Sequence, residues 1–151
     1  MSILLKEIFN PQSIILNLKA KTKEEVFVEL ADAIASLHHG VRSEEILAAM
    51  WERENKMSTG IASGVAIPHA FCGSVTGITG AIGISRDGIE YGALDNKPVQ
   101  VVFMLAIGGP VQEHHLRVLN QIFKLAQSEA LALIKKAAAA QDIHAILSQF
   151  H

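Results

Sequence analysis

Cysteine is almost absent, Cys72 being the only one among 151 residues. A single thiol excludes an intramolecular disulfide and a cysteine-built zinc site, and it suits a reducing compartment, by default the cytoplasm. Neither sign of charge is in excess, with 13 Lys and Arg against 15 Asp and Glu and a formal net charge of −2. Without a basic surplus, nucleic-acid binding through the phosphate backbone is not expected. Long apolar runs are also missing: Lys6, Glu7 and Asn10 interrupt the N-terminal stretch MSILLKEIFNPQSIILNLKAK, too polar for a signal-peptide core and too short for a membrane span. The chain is therefore expected to be neither exported nor inserted in a membrane. No Gly-x-x-x-x-Gly-Lys-Ser/Thr loop occurs, which argues against an ATP-driven kinase. Internal repeats, low-complexity tracts and a Pro/Gly-rich linker are lacking too, so residues 1–151 read as a single domain. Half of the residues are hydrophobic, and a domain of about 150 residues buries roughly two-thirds of its unfolded surface, enough to fold without a metal.

Apolar periodicity gives the elements. Ser13 to Leu18 (SIILNL) reads as a strand. Thr22 to Glu25 (TKEE) has the form of a capping box, and Val26, Phe27, Leu30, Ala31, Ile34 and Leu37 follow on one helical stripe that ends before Gly40. Ser43 is expected to cap a second helix carrying Ile46, Leu47, Met50 and Trp51, with Arg53 near its end. Residues 58–80 (STGIASGVAIPHAFCGSVTGITG) hold too many glycines for a helix and predict loops with short strands. Ile78 to Ile84 and Val99 to Ile107 read as strands, the second apolar enough to run through the sheet centre with both faces covered. Leu116, Leu119, Ile122, Phe123 and Ala126 mark a helix over 113–126, and a weaker stripe spans Leu131 to Leu147. This order of elements favours an α/β layer fold.

Seven histidines are many for this length. His38 and His39 close the first helix, where the dipole favours a cationic ring. His144 and His151 fall in the last helix and at the terminus, where solvation explains them. His69 differs. It follows Val65-Ala66-Ile67-Pro68, whose proline fixes φ and biases Ile67 to extended backbone, so the ring can be presented at a rigid strand end. A turn histidine bonded to backbone fits the same residues.

His115 shares a helix face with Leu119 and Ile122 and so turns toward the protein body. His114 points about 100° away, toward Arg117 and Gln121. In a first helical turn a neutral ring beside free N–H groups suits an anion such as phosphoryl, although a carbonyl-bonded, half-buried histidine is also common there. Arg53 reads either as part of a solvated charge cluster or as a guanidinium suited to a phosphoryl group. A metal site from His69, His114 and His115 is disfavoured, because adjacent helical rings diverge and no His-Glu-x-x-His pattern accompanies them.

Glu54 to Ala70 (ENKMSTGIASGVAIPHA), together with Arg53 before it, resembles the active-site signature of enzyme IIA of the bacterial phosphotransferase system, fructose-mannitol class. Ala93 to Val99 (ALDNKPV) and His115 to Leu119 (HLRVL) resemble the family's later blocks in order and spacing, so the resemblance covers essentially the whole chain. Ala62 and Ala70 depart from it, standing where glycine is frequent. The resemblance implies a single α/β domain with a mixed central sheet between helices. It also implies a phosphocarrier in which His69 takes a phosphoryl group from the carrier HPr and passes it to an enzyme IIB. His115 and Arg53 fall on its supporting positions, with Thr59 a weaker candidate for shaping the pocket. No cofactor or metal is implied. The membrane component IIC would be met only through IIB, on separate polypeptides. A nitrogen-related regulatory protein, whose His69 phosphorylation state controls binding to a kinase or transporter, is the alternative within the same resemblance. An apolar rim including Ile61 and Phe71 is expected to dock the partners.

Overall fold

The structure, a computed structural model, describes residues 4–109 and 112–150, and for Gln112 and Glu113 only the backbone. His151 and Pro110 lie outside the described residues. The elements in chain order are α1 (Leu5–Ile8), a short 3-10 turn (Pro11–Ser13), β1 (Ile14–Ile15), α2 (Lys23–Leu37), α3 (Ser43–Glu54), β2 (Val65–Ala66), β3 (His69–Phe71), β4 (Ile78–Ile89), β5 (Val99–Ile107), α4 (Gln112–Ala126), α5 (Ala130–Lys136) and α6 (Ala140–Leu147). No helix among the described residues is long and apolar enough to cross a membrane.

β5 is the central strand, as its unbroken apolar run VQVVFMLAI predicts. Along one edge it pairs antiparallel with β4, which in turn pairs parallel with β1. Along the other edge it pairs parallel with β2 and then β3, placing His69 opposite Leu105 and Phe71 opposite Ile107. The sheet is thus mixed. Its alternation builds two cores: Val101, Phe103, Leu105 and Ile107 join α4, α5 and α6 on one face, while Val102, Met104 and Ala106 join α2 and α3 on the other. A register break between Ile84 and Ile89 shifts the alternation, and Val99 accordingly faces the α2 and α3 side. This α/β layer arrangement, with helices over both sheet faces, is the expected fold class.

Several local expectations change. The strand expected over Ser13 to Leu18 keeps only Ile14–Ile15: Ser13 closes a 3-10 turn that Asn10 opens by taking the N–H of Gln12 at 2.8 Å, and after Ile15 the chain leaves the ladder, although the Leu18 N–H still bonds the Ile84 carbonyl at 2.9 Å. The strand beginning at Ile78 continues past Ile84 to Ile89. Ser43 is the first helical residue of α3 rather than its cap; Arg42 holds the cap position without a side-chain bond. The weak stripe from Leu131 to Leu147 is two helices, broken where Ala139 is extended. Thr22 does cap α2, accepting the Glu25 N–H at 3.2 Å. The return bond of the capping box goes one residue further back, from the Lys21 N–H to Glu25 at 2.8 Å. His38 holds the C-cap position of α2, and its Nε2 lies 2.6 Å from the Thr79 hydroxyl, tying the helix end to β4. His144 is not simply solvated: its Nε2 sits 2.9 Å from the Lys6 carbonyl, which ties α6 to α1.

Candidate functional site

Three elements bring their ends together at the C-terminal end of β5. α3 packs on β3 and delivers Arg53 from its last turn, β3 delivers His69, and α4 delivers His115 from its first turn. These side chains line one open hollow of about 330 Å³ with Ala49, Glu52, Lys56, Ala70 and Phe71. Residues 53, 69 and 115, far apart in sequence, thus share one surface.

His69 is half-buried, and its Nδ1 lies 2.8 Å from the Ile67 carbonyl oxygen. A carbonyl can only accept, so Nδ1 carries the proton and Nε2 keeps its lone pair. Both readings of this histidine therefore hold together: the ring is backbone-bonded through one nitrogen and lines the hollow. Burial holds its pKa below the ordinary histidine value. The positive charge of Arg53 and the His115 ring act in the same direction, while the Ile67 hydrogen bond and the charge of Glu54 oppose them. At neutral pH the ring is therefore neutral.

His115 meets Phe71 edge to face, with ring centroids 5.3 Å apart and planes at 82°. Phe71 lies two residues after His69 in β3, on the same side of the strand, and so bridges the two histidines. His114 does not line the hollow, and its Nδ1 is buried without a hydrogen-bond partner. The two adjacent rings part as helix phase requires, but it is His114 whose Nδ1 is buried, while His115 opens onto the hollow rather than into the protein body. Arg53 donates to the Met57 carbonyl at 2.9 Å, fixing the loop that follows α3 while its guanidinium lines the hollow. Lys56 adds a second positive charge and Glu52 a negative one.

Thr59 does not shape the hollow. It is buried beneath it, where its N–H and hydroxyl bond the two carboxylate oxygens of Glu54 at 2.9 and 2.6 Å. Ile61 packs against the core below the sheet and takes no part in a rim, whereas Phe71 is 52% exposed at the edge of the hollow. Sequence reasoning missed the layer under the site. Glu54 is buried and ion-paired with Lys23 from α2 at 2.5 Å, and the Lys23 ammonium lies 4.4 Å from the centroid of the Tyr91 ring. The Tyr91 hydroxyl is 2.7 Å from the Thr59 oxygen; with the Thr59 proton committed to Glu54, Tyr91 is the donor. Burial, and then the Glu54 charge, push the Tyr91 pKa well above its ordinary value. The one available signal was an acidic residue at a helix C-terminus, the end where the dipole disfavours it.

A compact hollow with a neutral imidazole, a second imidazole and a guanidinium suits reversible binding of an anion to a ring nitrogen. Among the described residues no three His, Cys, Asp or Glu side chains are grouped to hold a metal ion.

Known proteins of this shape narrow the reading. The chain is 33% identical over 127 residues to the fructose-specific EIIABC component of the phosphotransferase system of Bacillus subtilis, a match covering 84% of this chain and a fifth (20%) of that longer protein. The nitrogen regulatory protein IIA-Ntr from Neisseria meningitidis superposes with a TM-score of 0.87 at 26% identity, covering 95% of this chain and 98% of that one. The Escherichia coli mannitol enzyme IIA, solved in complex with phosphorylated enzyme IIB, shares the fold at a TM-score of 0.76 and 19% identity, with 93% and 99% of the two chains covered. Residues 7–150 match the family model described as phosphoenolpyruvate-dependent sugar phosphotransferase system, EIIA 2, and the chain belongs to that family, which takes in both sugar-specific enzymes IIA and their nitrogen-regulatory paralogues.

Proposed function

We propose that this protein is a phosphocarrier of the phosphoenolpyruvate-dependent sugar phosphotransferase system. His69 takes a phosphoryl group from phospho-HPr or a related carrier and passes it to an enzyme IIB in the cytoplasm, and a membrane IIC is reached only through IIB. The observation that carries this reading is the hydrogen bond from His69 Nδ1 to the Ile67 carbonyl, which leaves Nε2 unprotonated on a ring lining the hollow.

In the transfer, the Nε2 lone pair forms a bond to phosphorus while the donor's nitrogen–phosphorus bond breaks and its electron pair returns to the donor ring. Little covalent activation is needed, because the transition state is loose and positioning with charge stabilisation dominates. Positive charge develops on the His69 ring, and the Ile67 carbonyl at Nδ1 stabilises it. Arg53 and His115 face the same hollow, where a guanidinium and an imidazole N–H answer the negative charge on the phosphoryl oxygens. The phosphorylated ring remains reactive enough to hand the group on.

The nitrogen-regulatory reading is supported by the end-to-end likeness to IIA-Ntr. In that reading His69 is a signal whose phosphorylation state governs binding to a kinase or transporter. Incubation with phosphoenolpyruvate, enzyme I and HPr, followed by intact-mass detection of acid-labile phosphate, tests the common core of both. One phosphoryl group is expected on the wild type, none on His69→Ala, and slower labelling of His115→Ala. An unlabelled wild type, with the carriers active, rejects both readings. Efficient hand-off to a IIB cysteine then selects the sugar carrier, and its absence selects the regulator.

A further inference from the structure

Glu54 breaks two rules at once. It ends α3, where its charge meets the negative end of the helix dipole, and it is only 6% exposed, where a carboxylate is costly to place. Violations of this kind concentrate at functional sites. Its bonds lead to one. Lys23 pairs with Oε2, and the Thr59 N–H and hydroxyl bond Oε2 and Oε1, so the carboxylate fixes the Thr59 peptide and side chain together. The Thr59 carbonyl then accepts the Ile67 N–H at 2.9 Å, and the Ile67 carbonyl accepts from His69 Nδ1 at 2.8 Å. Arg53, the preceding residue, holds the same loop from the hollow side through Met57.

We propose that Glu54 is a positioning residue that sets the tautomer of His69 through the Thr59 and Ile67 peptides, keeping Nε2 bare. The consequence for phosphoryl transfer rests on the phosphocarrier reading; the tautomer itself does not. A role confined to stability would leave the imidazole unchanged in any variant that folds.

Imidazole nitrogen-15 shifts of His69, assigned with His69→Gln, read the tautomer directly. The wild type is expected to show Nδ1 protonated and Nε2 bare. Glu54→Gln keeps the shape but removes the charge that pairs with Lys23 and strengthens the bond from the Thr59 N–H, loosening the hold on the Thr59 peptide, and it is expected to give a mixture with the Nε2–H form. Lys23→Met/Glu54→Met removes both charges together, an exchange that folds commonly tolerate, and should move the tautomer further. Phosphoryl acceptance at saturating donor should slow by about tenfold or more with the half-saturating donor concentration unchanged. If Glu54→Gln retains the wild-type tautomer and rate, the inference is overturned; this variant decides alone should the double one not fold. A wild type that takes no phosphoryl group sinks the phosphocarrier reading, and the tautomer comparison still stands or falls by its own signals.

Discussion

The two nitrogens of His69 have different surroundings, and that difference fixes a pH dependence. Nδ1 is held by the Ile67 carbonyl, and burial, reinforced by the charges of Arg53 and His115, makes protonation of the ring harder in the folded protein than in the unfolded chain. The unfolded value is about 6.5. Stability associated with the neutral ring is therefore present above that pH and is lost as pH falls through the lower folded value, because the unfolded chain then binds the extra proton. A proton NMR titration of the His69 ring should give a midpoint below about 6.5, and a midpoint at or above it would contradict the burial described. Part of this residue was legible in sequence, since Pro68 and the glycines around it announce a rigid, irregular presentation. Glu54 was not: the burial of a charge depends on Lys23 and Tyr91, whose approach is set by tertiary packing rather than by spacing along the chain.

At the scale of elements, periodicity did well wherever one face is buried over three or more turns. α2, α3 and α4 each present such a stripe, and β5 shows the continuous apolar run of a strand covered twice. Short pieces were harder for the opposite reason. β1 was read over Ser13 to Leu18 but keeps only two residues, and α1, with four, was not read at all; both are too short for any period to mark their ends, and they rest on contacts with β4 and α6. The end of β5 carries a constraint of the same tertiary kind. A Cβ on Gly108 would stand 1.7 Å from the Val75 carbonyl oxygen, which is backbone and cannot swing away. Gly77, whose carbonyl accepts the Gly108 N–H at 2.8 Å, has φ +79° and open space around it. Gly77→Ala is expected to cost about 1–2 kcal/mol from left-handed strain, and Gly108→Ala about 3 kcal/mol or more from overpacking against backbone. Urea unfolding of the two variants checks the ranking, and equal costs would mean that the strand end relaxes freely.

For the whole molecule, the sheet does what no single element can: it sets α3 and α4, on opposite faces, so that both reach the same end of β5. Sequence supplied His69, His115 and Arg53 of the hollow and one member of its rim, Phe71, but not Met57 or Leu116, and it misplaced Ile61, because exposure of an apolar side chain is decided by the docking of helices. Met57, Phe71 and Leu116 are 59%, 52% and 59% exposed, and all three belong to the segments that carry Arg53, His69 and His115. On the proposed phosphocarrier reading the protein alternates between two partners and needs a surface each can leave, which favours a small apolar rim around a charged centre over a large permanent interface. Leu116 and Met57 bond nothing in the site through their side chains, so Leu116→Ser and Met57→Ser separate docking from chemistry. Each should alter thermal stability by less than about 0.5 kcal/mol, as exposed substitutions do. Each should also raise the half-saturating concentration of phospho-donor several-fold, leaving the rate at saturation near wild type, because the lost contacts are made equally in the encounter and in transfer. Steady-state labelling over a range of donor concentrations reads both quantities. A fall in the saturated rate with unchanged half-saturation would instead place these side chains in the transfer step itself and remove the rim as a docking surface.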